Sequence, residues 1–291
     1  MGYSVSIEAD SIYRGVRLVT FRATFPRCIL AEANTHRVLS RSSASSRAVP
    51  IDTVIASITS DPFIPVWWGA AQGGMVADAE VSPDAQLRSR DKWLMARDAA
   101  IASVRNLMQD GLHKQIPNRI LEPWMYHTAL ITGTEWSNFF ALRRHKAAMP
   151  EMRKLARMMW TAFSEHTPDA LEPGDWHLPL VTEEERMLGR YSPRALAQAS
   201  AGRCRRVSTG RLDVQKTFEE DVAACNQCVT MGHMSPLEHQ AQAPHAGAGP
   251  HGAYERYGHL WWGNLRGWIQ HRSFVPNEND FSHYAKEEDY A

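Results

Sequence analysis

Cysteine is scarce in this chain. The four among 291 residues, Cys28, Cys204, Cys225 and Cys228, are too few and too scattered for a disulfide framework. Cys225 and Cys228 form a Cys-x-x-Cys, but no second pair completes a four-sulfur zinc site, and the surrounding spacing suits small buried residues of a helix. Cys204, between Arg203 and Arg205, has neighbours that could activate a thiol, although a structural placement is expected. Long apolar runs are missing, and the start Met1–Ser6 lacks the basic and apolar layout of a signal segment, so a cytoplasmic protein with no membrane partner is expected. Net charge is absent too. Thirty-two basic residues balance thirty-two acidic ones, so no global field draws nucleic acid, and any anion site must be local. No His-x-x-x-His pair accompanies a carboxylate, which argues against a catalytic metal. Without a Gly-x-Gly-x-x-Gly or a P-loop, a nucleotide cofactor would not sit on a doubly wound sheet.

What is present suits a globular enzyme. Hydrophobic residues make up 44% and charged ones 22%, enough to bury a substantial core in one large domain or two smaller ones. Residues 15–31 are beta-branched and aromatic at period two, then apolar, predicting one or two strands with Pro26 at a bend or edge. Residues 60–84, rich in Pro and Gly, read as a loop wrapping the core. Trp93, Ala96, Ala100, Val104, Leu107 and Met108 step at helical spacing, as do Met152, Leu155, Met158, Met159 and Phe163 after Pro150. Residues 166–193 read as a connector, followed by a helix from about Pro193 to Gly202. Residues 244–253 are flexible by composition, 260–274 form the last ordered piece, and the acidic tail after Pro276 is loose. Trp67, Trp68, Trp261 and Trp262 read as core residues, while Asn264–Arg272 is polar and aromatic enough to line a pocket.

The densest chemistry lies in Asn34–Arg47, which packs His36, Arg37, Arg41, Arg47 and five serines into fourteen residues. Guanidiniums and hydroxyls at that density suit phosphate, although a run of this kind is more often a solvated loop. The order His36-Arg37, seven residues, Ser45, then Arg47 resembles the signature of the flavin-dependent thymidylate synthases, the thymidylate synthase complementing proteins. Three further patches carry the same resemblance: Asn118-Arg119-Ile120-Leu121-Glu122-Pro123, which looks like the family's Arg-x-x-Leu-Pro; Asn138 through Arg143, continued by Glu151; and Arg206-Val207-Ser208 with His233-Met234-Ser235-Pro236-Leu237-Glu238-His239. The last patch precedes the first in the usual members and follows it here by nearly two hundred residues. The chain thus reads as a circular permutation, in the manner of divergent phage-type members. Locally, Ser235 and Glu238 also fit a helix N-cap with a capping box.

The resemblance implies an α/β (α+β) fold, a mixed or antiparallel sheet flanked by helices. It implies one catalytic domain over 1–291, with motifs in 1–165, the connector 166–193 and a permuted segment 194–291. The implied reaction is FAD-dependent transfer of a one-carbon unit from methylenetetrahydrofolate to C5 of dUMP, with NADPH as reductant, in a homotetramer whose sites form where subunits meet. His36, Arg37, Asn138, Ser235 and His239 would contact flavin. Ser45, Arg47, Arg119, Arg143 and Ser208 would contact the nucleotide, with Ser45 and Arg143 catalytic by polarising the uracil; no enzyme cysteine attacks. The chain departs from the pattern at Glu32, Thr35, Ser42, Ser43, Ala147 and Met149. Three alternatives stay open: a methylase or hydroxymethylase of dCMP or dUMP, a non-catalytic flavin or nucleotide binder, and a nucleic-acid binder using the Ser/Arg cluster, against which the zero net charge argues.

Overall fold

The computed structural model describes residues 2–187, 189–245, 263–276 and 278. The expectations for 246–262 and for the tail beyond 278, including Trp261 and Trp262, lie outside the described residues.

The fold grows from a hairpin. Strands β1 (Ser4–Tyr13) and β2 (Val16–Pro26) pair antiparallel around a two-residue turn, with Tyr13 opposite Val16. Arg14 and Gly15 both have positive φ, the backbone that a tight hairpin between right-twisted strands requires. Helix α1 (Leu30–Asn34) follows, then β3 (Ser40–Ser43). Helices α2 (Ile51–Ser60), α3 (Pro83–Gln109) and α4 (Pro117–Ile120) precede β4 (Tyr126–Gly133). Helices α5 (Ser137–Arg143) and α6 (Pro150–Glu165) lead to a short β5 (Asp169–Ala170). The five strands form one sheet in the order β3-β4-β2-β1-β5, antiparallel except for the β1–β5 pair.

Period-two alternation divides the sheet into two unlike faces. Val19, Phe21, Ala23 and Phe25 of β2 and Ala129 and Ile131 of β4 pack on Met152, Leu155, Ala156 and Met159 of α6 and on Phe139 and Phe140 of α5. The intervening residues Leu18, Thr20, Arg22 and Thr24 of β2, with Thr128, Leu130 and Thr132 of β4, face the other way. That face is covered by the later part of the chain. Strand β6 (Trp176–His177), helix α7 (Glu183–Met187), α8 (Pro193–Arg205), a 3-10 turn at Arg206–Thr209, α9 (Phe218–Thr230), a second 3-10 turn at Ser235–Glu238, β7 (Ala241–Gln242) and β8 (Ile269–Gln270) make up this layer. Strands β6, β7 and β8 form a second, antiparallel sheet. Trp268, completely buried, packs with Leu265, Leu18 and Tyr13, sewing this layer to the first hairpin.

Helices α8 and α9 make the tightest contact in the layer. A Cβ at Gly202 would stand 1.9 Å from the backbone carbonyl oxygen of Asp221, so only glycine lets the two helices approach this closely. Thr217 and Glu220 close a capping box at the start of α9, and Ser192 caps α8 ahead of Pro193.

The helices expected around 93–108, 152–163 and 193–202 are present as α3, α6 and α8, with α3 starting ten residues earlier at Ser82-Pro83. Two expectations are corrected and one strand was not anticipated. Cys28–Ala31, read as strand, is helical, because Pro26 ends the ladder and the chain turns into a 3-10 turn and α1. The ten residues of β1 carried no strand expectation. Ser235 does not cap a helix: the turn it opens has no side-chain cap, and Glu238 instead pairs with Arg272 at 2.8 Å.

Candidate functional site

The Asn34–Arg47 segment lies along one edge of the main sheet, and the structure splits its residues into three groups. The first is at the start of β3. His36 is buried against the ring of Phe139, and its Nε2 accepts a hydrogen bond from Arg143 Nε at 2.8 Å. Arg143 also donates to Thr35 Oγ1 at 2.7 Å, so the residue that replaces the family's leading arginine holds another arginine. Arg41 turns back to donate to the carbonyls of Ala33 and His36, both at 2.8 Å. Burial, then Arg143 and Arg41, pushes the His36 pKa below its usual range, which keeps Nε2 free to accept. Arg37 and Asn138 lie nearby in sequence to this pair, exposed, and their side chains have no hydrogen-bond or ion-pair partner among the described residues.

The second group is at the far end of β3. Ser45 N–H donates to the Ser208 carbonyl at 2.9 Å, joining the first motif to the displaced one. Ser45 and Ser46 line a cavity of about 370 Å³ with Thr24, Thr128, Arg22 and Arg27. The hydroxyls of Thr24 and Thr128 lie 2.9 Å apart in its wall. Arg22 is paired with Glu8 and Asp213, and Arg27 with Glu122 at 2.9 Å. The cavity therefore sets hydroxyls and partly balanced guanidiniums beside a larger apolar wall that includes Val49, Val54, Met125, Val207 and Leu212. His127, also in its lining, is buried, and burial with Arg27 nearby lowers its pKa to about 3 against a smaller opposing pull from the Phe25 backbone.

Two residues of the second motif patch, Asn118 and Glu122, build this end, although neither was assigned a role from the sequence. Glu122 Oε1 accepts from Ser46 Oγ at 2.6 Å while holding Arg27. Asn118, completely buried, donates to the carbonyls of Ser46 and Val49 at 2.7 and 3.0 Å. The one available signal was the glutamate between Leu121 and Pro123, a departure from the family's Leu-Pro. Arg119 is mostly exposed, 3.6 Å from the Glu122 carboxylate, and Arg47 is exposed at the turn before α2.

The third group lies between the other two and points into the protein. His239 is completely buried, with Nε2 2.9 Å from Ser42 Oγ and Nδ1 2.8 Å from Thr132 Oγ1. Both ring nitrogens are engaged, so His239 reaches a ligand only through Ser42. Ser235 is exposed, and Ser208 Oγ donates to the Arg205 carbonyl at 2.9 Å. Glu151, which extends the Asn138–Arg143 resemblance, is buried and accepts from Val66 N–H at 3.0 Å, pinning the loop before α3.

The cysteines have no nucleophilic setting. Cys204, Cys225 and Cys228 are buried. Burial raises the pKa of all three, that of Cys225 to about 12, and Cys28 is pushed up to about 11 by lost hydration and by Glu151 and Glu32. A thiolate attack on a pyrimidine has no support here. Among the described residues no group of three metal-ligating side chains converges, and no helix is long and apolar enough to cross a membrane.

Comparison with known proteins adds one strong match. The family described as thymidylate synthase complementing protein matches residues 16–169, which contain the first three motif patches. No curated protein sequence matches. Among solved structures, a UMP/dUMP methylase, PolB from Streptomyces cacaoi, bound with 5-Br UMP is 17% identical, with TM-score 0.44 over 56% of this chain and 89% of that one. The same methylase bound with 5-Br dUMP is 19% identical, with TM-score 0.43 over 51% of this chain and 67% of that one.

Proposed function

Since this chain belongs to the thymidylate synthase complementing protein family, methyltransferases of the flavin-dependent thymidylate synthase type, we propose that it transfers a one-carbon unit from methylenetetrahydrofolate to C5 of dUMP, using FAD and with NADPH as reductant. The observation that carries this reading is that the family match spans His36, Arg37, Ser45, Arg47, Arg119, Asn138 and Arg143 in one stretch, with Ser45 on the wall of the hydroxyl- and arginine-lined cavity.

The residues present fit a flavin dinucleotide in part. Arg37 and Asn138 are exposed with unengaged donors, the chemistry a pyrophosphate and a flavin ring edge accept. His36 is committed to Arg143 and His239 is enclosed, so the pair orients neighbours rather than touching the cofactor directly. When bound, the flavin would supply the redox chemistry and the carrier for the one-carbon unit. The protein's own work is orientation and charge. Ser45 and Arg47 hold the nucleotide, Arg119 neutralises phosphate, and Arg143 favours enolate character at the pyrimidine O4, making C5 nucleophilic without a cysteine adduct.

One chain does not bring these groups together. Ser45 lies beyond the end of β3 (Ser40–Ser43) on the cavity wall, and Arg143, which does not line that cavity, is tied to His36 before the start of β3. The reading therefore calls for a second copy to supply Arg143 to the Ser45 end, in the manner of the family's tetramer. The whole chain then acts as one catalytic unit, with the segment after 194 covering the sheet that carries the motifs.

Arg143→Ala tests the nucleotide role. The dissociation constant for dUMP should rise about tenfold or more, since a charge-assisted contact contributes about 1.5–3 kcal/mol, and the His36 imidazole should titrate at higher pH once its cationic neighbour is gone. Unchanged dUMP affinity removes Arg143 from the site. The function itself is tested by offering dUMP and dCMP together with FAD, methylenetetrahydrofolate and NADPH under low oxygen, then weighing the nucleotides by mass spectrometry. Methylated dUMP is expected. A modified dCMP or a hydroxymethyl product would reassign the substrate, which the serines at 42 and 43 make the leading alternative. No modified nucleotide at all would overturn the proposal.

A further inference from the structure

Among the described residues, the cavity beside Ser45 has no free positive charge on its wall. Arg22 and Arg27 are its lining cations, and each is already met by carboxylates. Arg27 Nε lies 2.9 Å from Glu122 Oε1. Arg22 Nε lies 2.9 Å from Glu8 Oε1, and its Nη1 donates to Asp213 Oδ1 at 2.8 Å. Burial keeps His127 neutral at pH 7. Arg119 stands outside the lining, mostly exposed and 3.6 Å from Glu122, so it acts on the cavity through its field and not by contact. A phosphate entering here would meet guanidiniums already neutralised, beside an apolar wall that costs it hydration. One carboxylate has to yield its place.

The three carboxylates are not equally held. Glu122 accepts from Ser46 Oγ at 2.6 Å while it pairs with Arg27, and Arg27 Nη1 donates to the Ala44 carbonyl at 3.0 Å. Parting that pair would loosen the wall itself. Glu8 belongs to β1, its side chain is 15% exposed, and it accepts from Ser6 Oγ at 2.9 Å. Asp213 differs on each count. Its side chain is 90% exposed, and Arg22 is its one side-chain partner among the described residues. It sits between the 3-10 turn Arg206–Thr209 and α9, where Leu212 is half-buried and residues 213–217 are exposed. An ion pair with so exposed a member is weak. A phosphate, with up to two charges and three oxygens, is the stronger claimant for a guanidinium fork.

We propose that Arg22 receives the phosphate of the nucleotide, and that Asp213 occupies Arg22 Nη1 until the phosphate displaces it. The proposal rests on the nucleotide reading above and adds to it a lining residue that makes the direct phosphate contact. Glu8 holds Arg22 from β1 throughout the exchange, so the guanidinium changes partners without leaving its place. Asp213 turns toward water, where a carboxylate is fully hydrated. Its departure converts a balanced wall into one with a spare positive charge at the moment the anion arrives. A nucleoside, which lacks the phosphate, leaves the Arg22–Asp213 pair intact.

Calorimetric titration of dUMP, deoxyuridine and inorganic phosphate into the intact protein and into Asp213→Asn tests the exchange. The substitution falls on an exposed side chain, so the fold is kept. The dUMP dissociation constant should fall about fivefold or more in Asp213→Asn, since a competitor and its repulsion are both removed. That for deoxyuridine should be the same in both proteins. Arg22→Gln in the same background should cancel the gain, and Arg22→Lys should keep part of it. Unchanged or weaker dUMP binding in Asp213→Asn overturns the assignment while the nucleotide reading survives, and an equal gain for deoxyuridine overturns it as well. If Arg22→Gln does not fold, those two comparisons decide without it. Should dUMP bind neither protein while inorganic phosphate binds Asp213→Asn more tightly, the nucleotide reading falls and Arg22 stands as a phosphate receptor. If inorganic phosphate gains nothing either, both fall.

Discussion

Taking the protein from pH 7 to pH 5 should remove roughly 7 kcal/mol of stability, most or all of what a domain of this kind possesses. Four histidines are responsible. His127, His177, His239 and His271 are buried, and desolvation holds the first three at a pKa of about 3 and the fourth at about 4. In the unfolded chain each returns to about 6.5. With the folded pKa below the unfolded one, unfolding takes up protons throughout the window between them. Stability is therefore full above about pH 6.5 and falls as the solution is acidified. Each ring contributes just under ~2 kcal/mol to the difference between pH 7 and pH 5. His36, whose pKa is also lowered, acts in the same direction. Glu185, held at about 2 by the Arg203 ion pair, loses its stabilising contribution only under more acidic conditions and is nearly silent in this window. Urea unfolding at pH 7, 6 and 5 checks the expectation through the free energy extrapolated to water. A change of less than about 2 kcal/mol across the range would mean that at least three of the four rings are not held neutral by the fold.

Removing a single carboxylate should be nearly as damaging. Asp221 of α9 is completely enclosed and faces two arginines of the preceding segment. Arg203 Nε donates to its Oδ2 at 2.8 Å, and Arg206 Nη1 donates to its Oδ1. Arg203 also grips both oxygens of Glu185 in α7, at 2.7 and 2.5 Å. The network thus joins α7, α8 and α9 at the same level where Gly202 lets two of them touch. Asp221→Ala would leave Arg206 without its carboxylate partner and Arg203 with half of its pairing, at a cost of about 3–5 kcal/mol. Thermal unfolding should show a correspondingly lower midpoint. Asp221→Asn, which keeps acceptor geometry at one oxygen, should fall in between. A loss below about 1 kcal/mol for Asp221→Ala would place the network among ordinary exposed ion pairs instead.

The parts of this architecture visible in the sequence were those with a period or a strict residue order. Strand β2 and helices α3, α6 and α8 announced themselves through apolar spacing, and the motif residues through their order. Strand β1 did not, because Ser4-Val5-Ser6-Ile7-Glu8 has the right period but small and charged members, and its hairpin depends on positive φ at Arg14 as much as at Gly15. Asn118 and Glu122 hold the Ser46 end through contacts more than seventy residues away in the chain, which no local pattern encodes. Thr20 and Thr132 look like ordinary beta-branched strand residues. Their hydroxyls gain a purpose only when His177 and His239 arrive from the covering layer. His239 shows the reverse: its place in a motif was legible, while its enclosure behind Ser42 required the fold.

The two faces of the main sheet also differ in when they can be completed. The face carrying Phe21 and Ile131 meets its helices within the first 165 residues, so it can close while the rest of the chain is still being made. The opposite face waits for His177, then for α8 and His239, and finally for Trp268. A ribosome-bound intermediate would thus carry a half-covered sheet in which threonines and serines break up the apolar surface of Leu18 and Leu130. Polar groups tolerate that delay in water, whereas a bare apolar face would invite association with neighbouring chains. By that account, the hydroxyls on this face weaken its tendency to associate until the last segment is delivered.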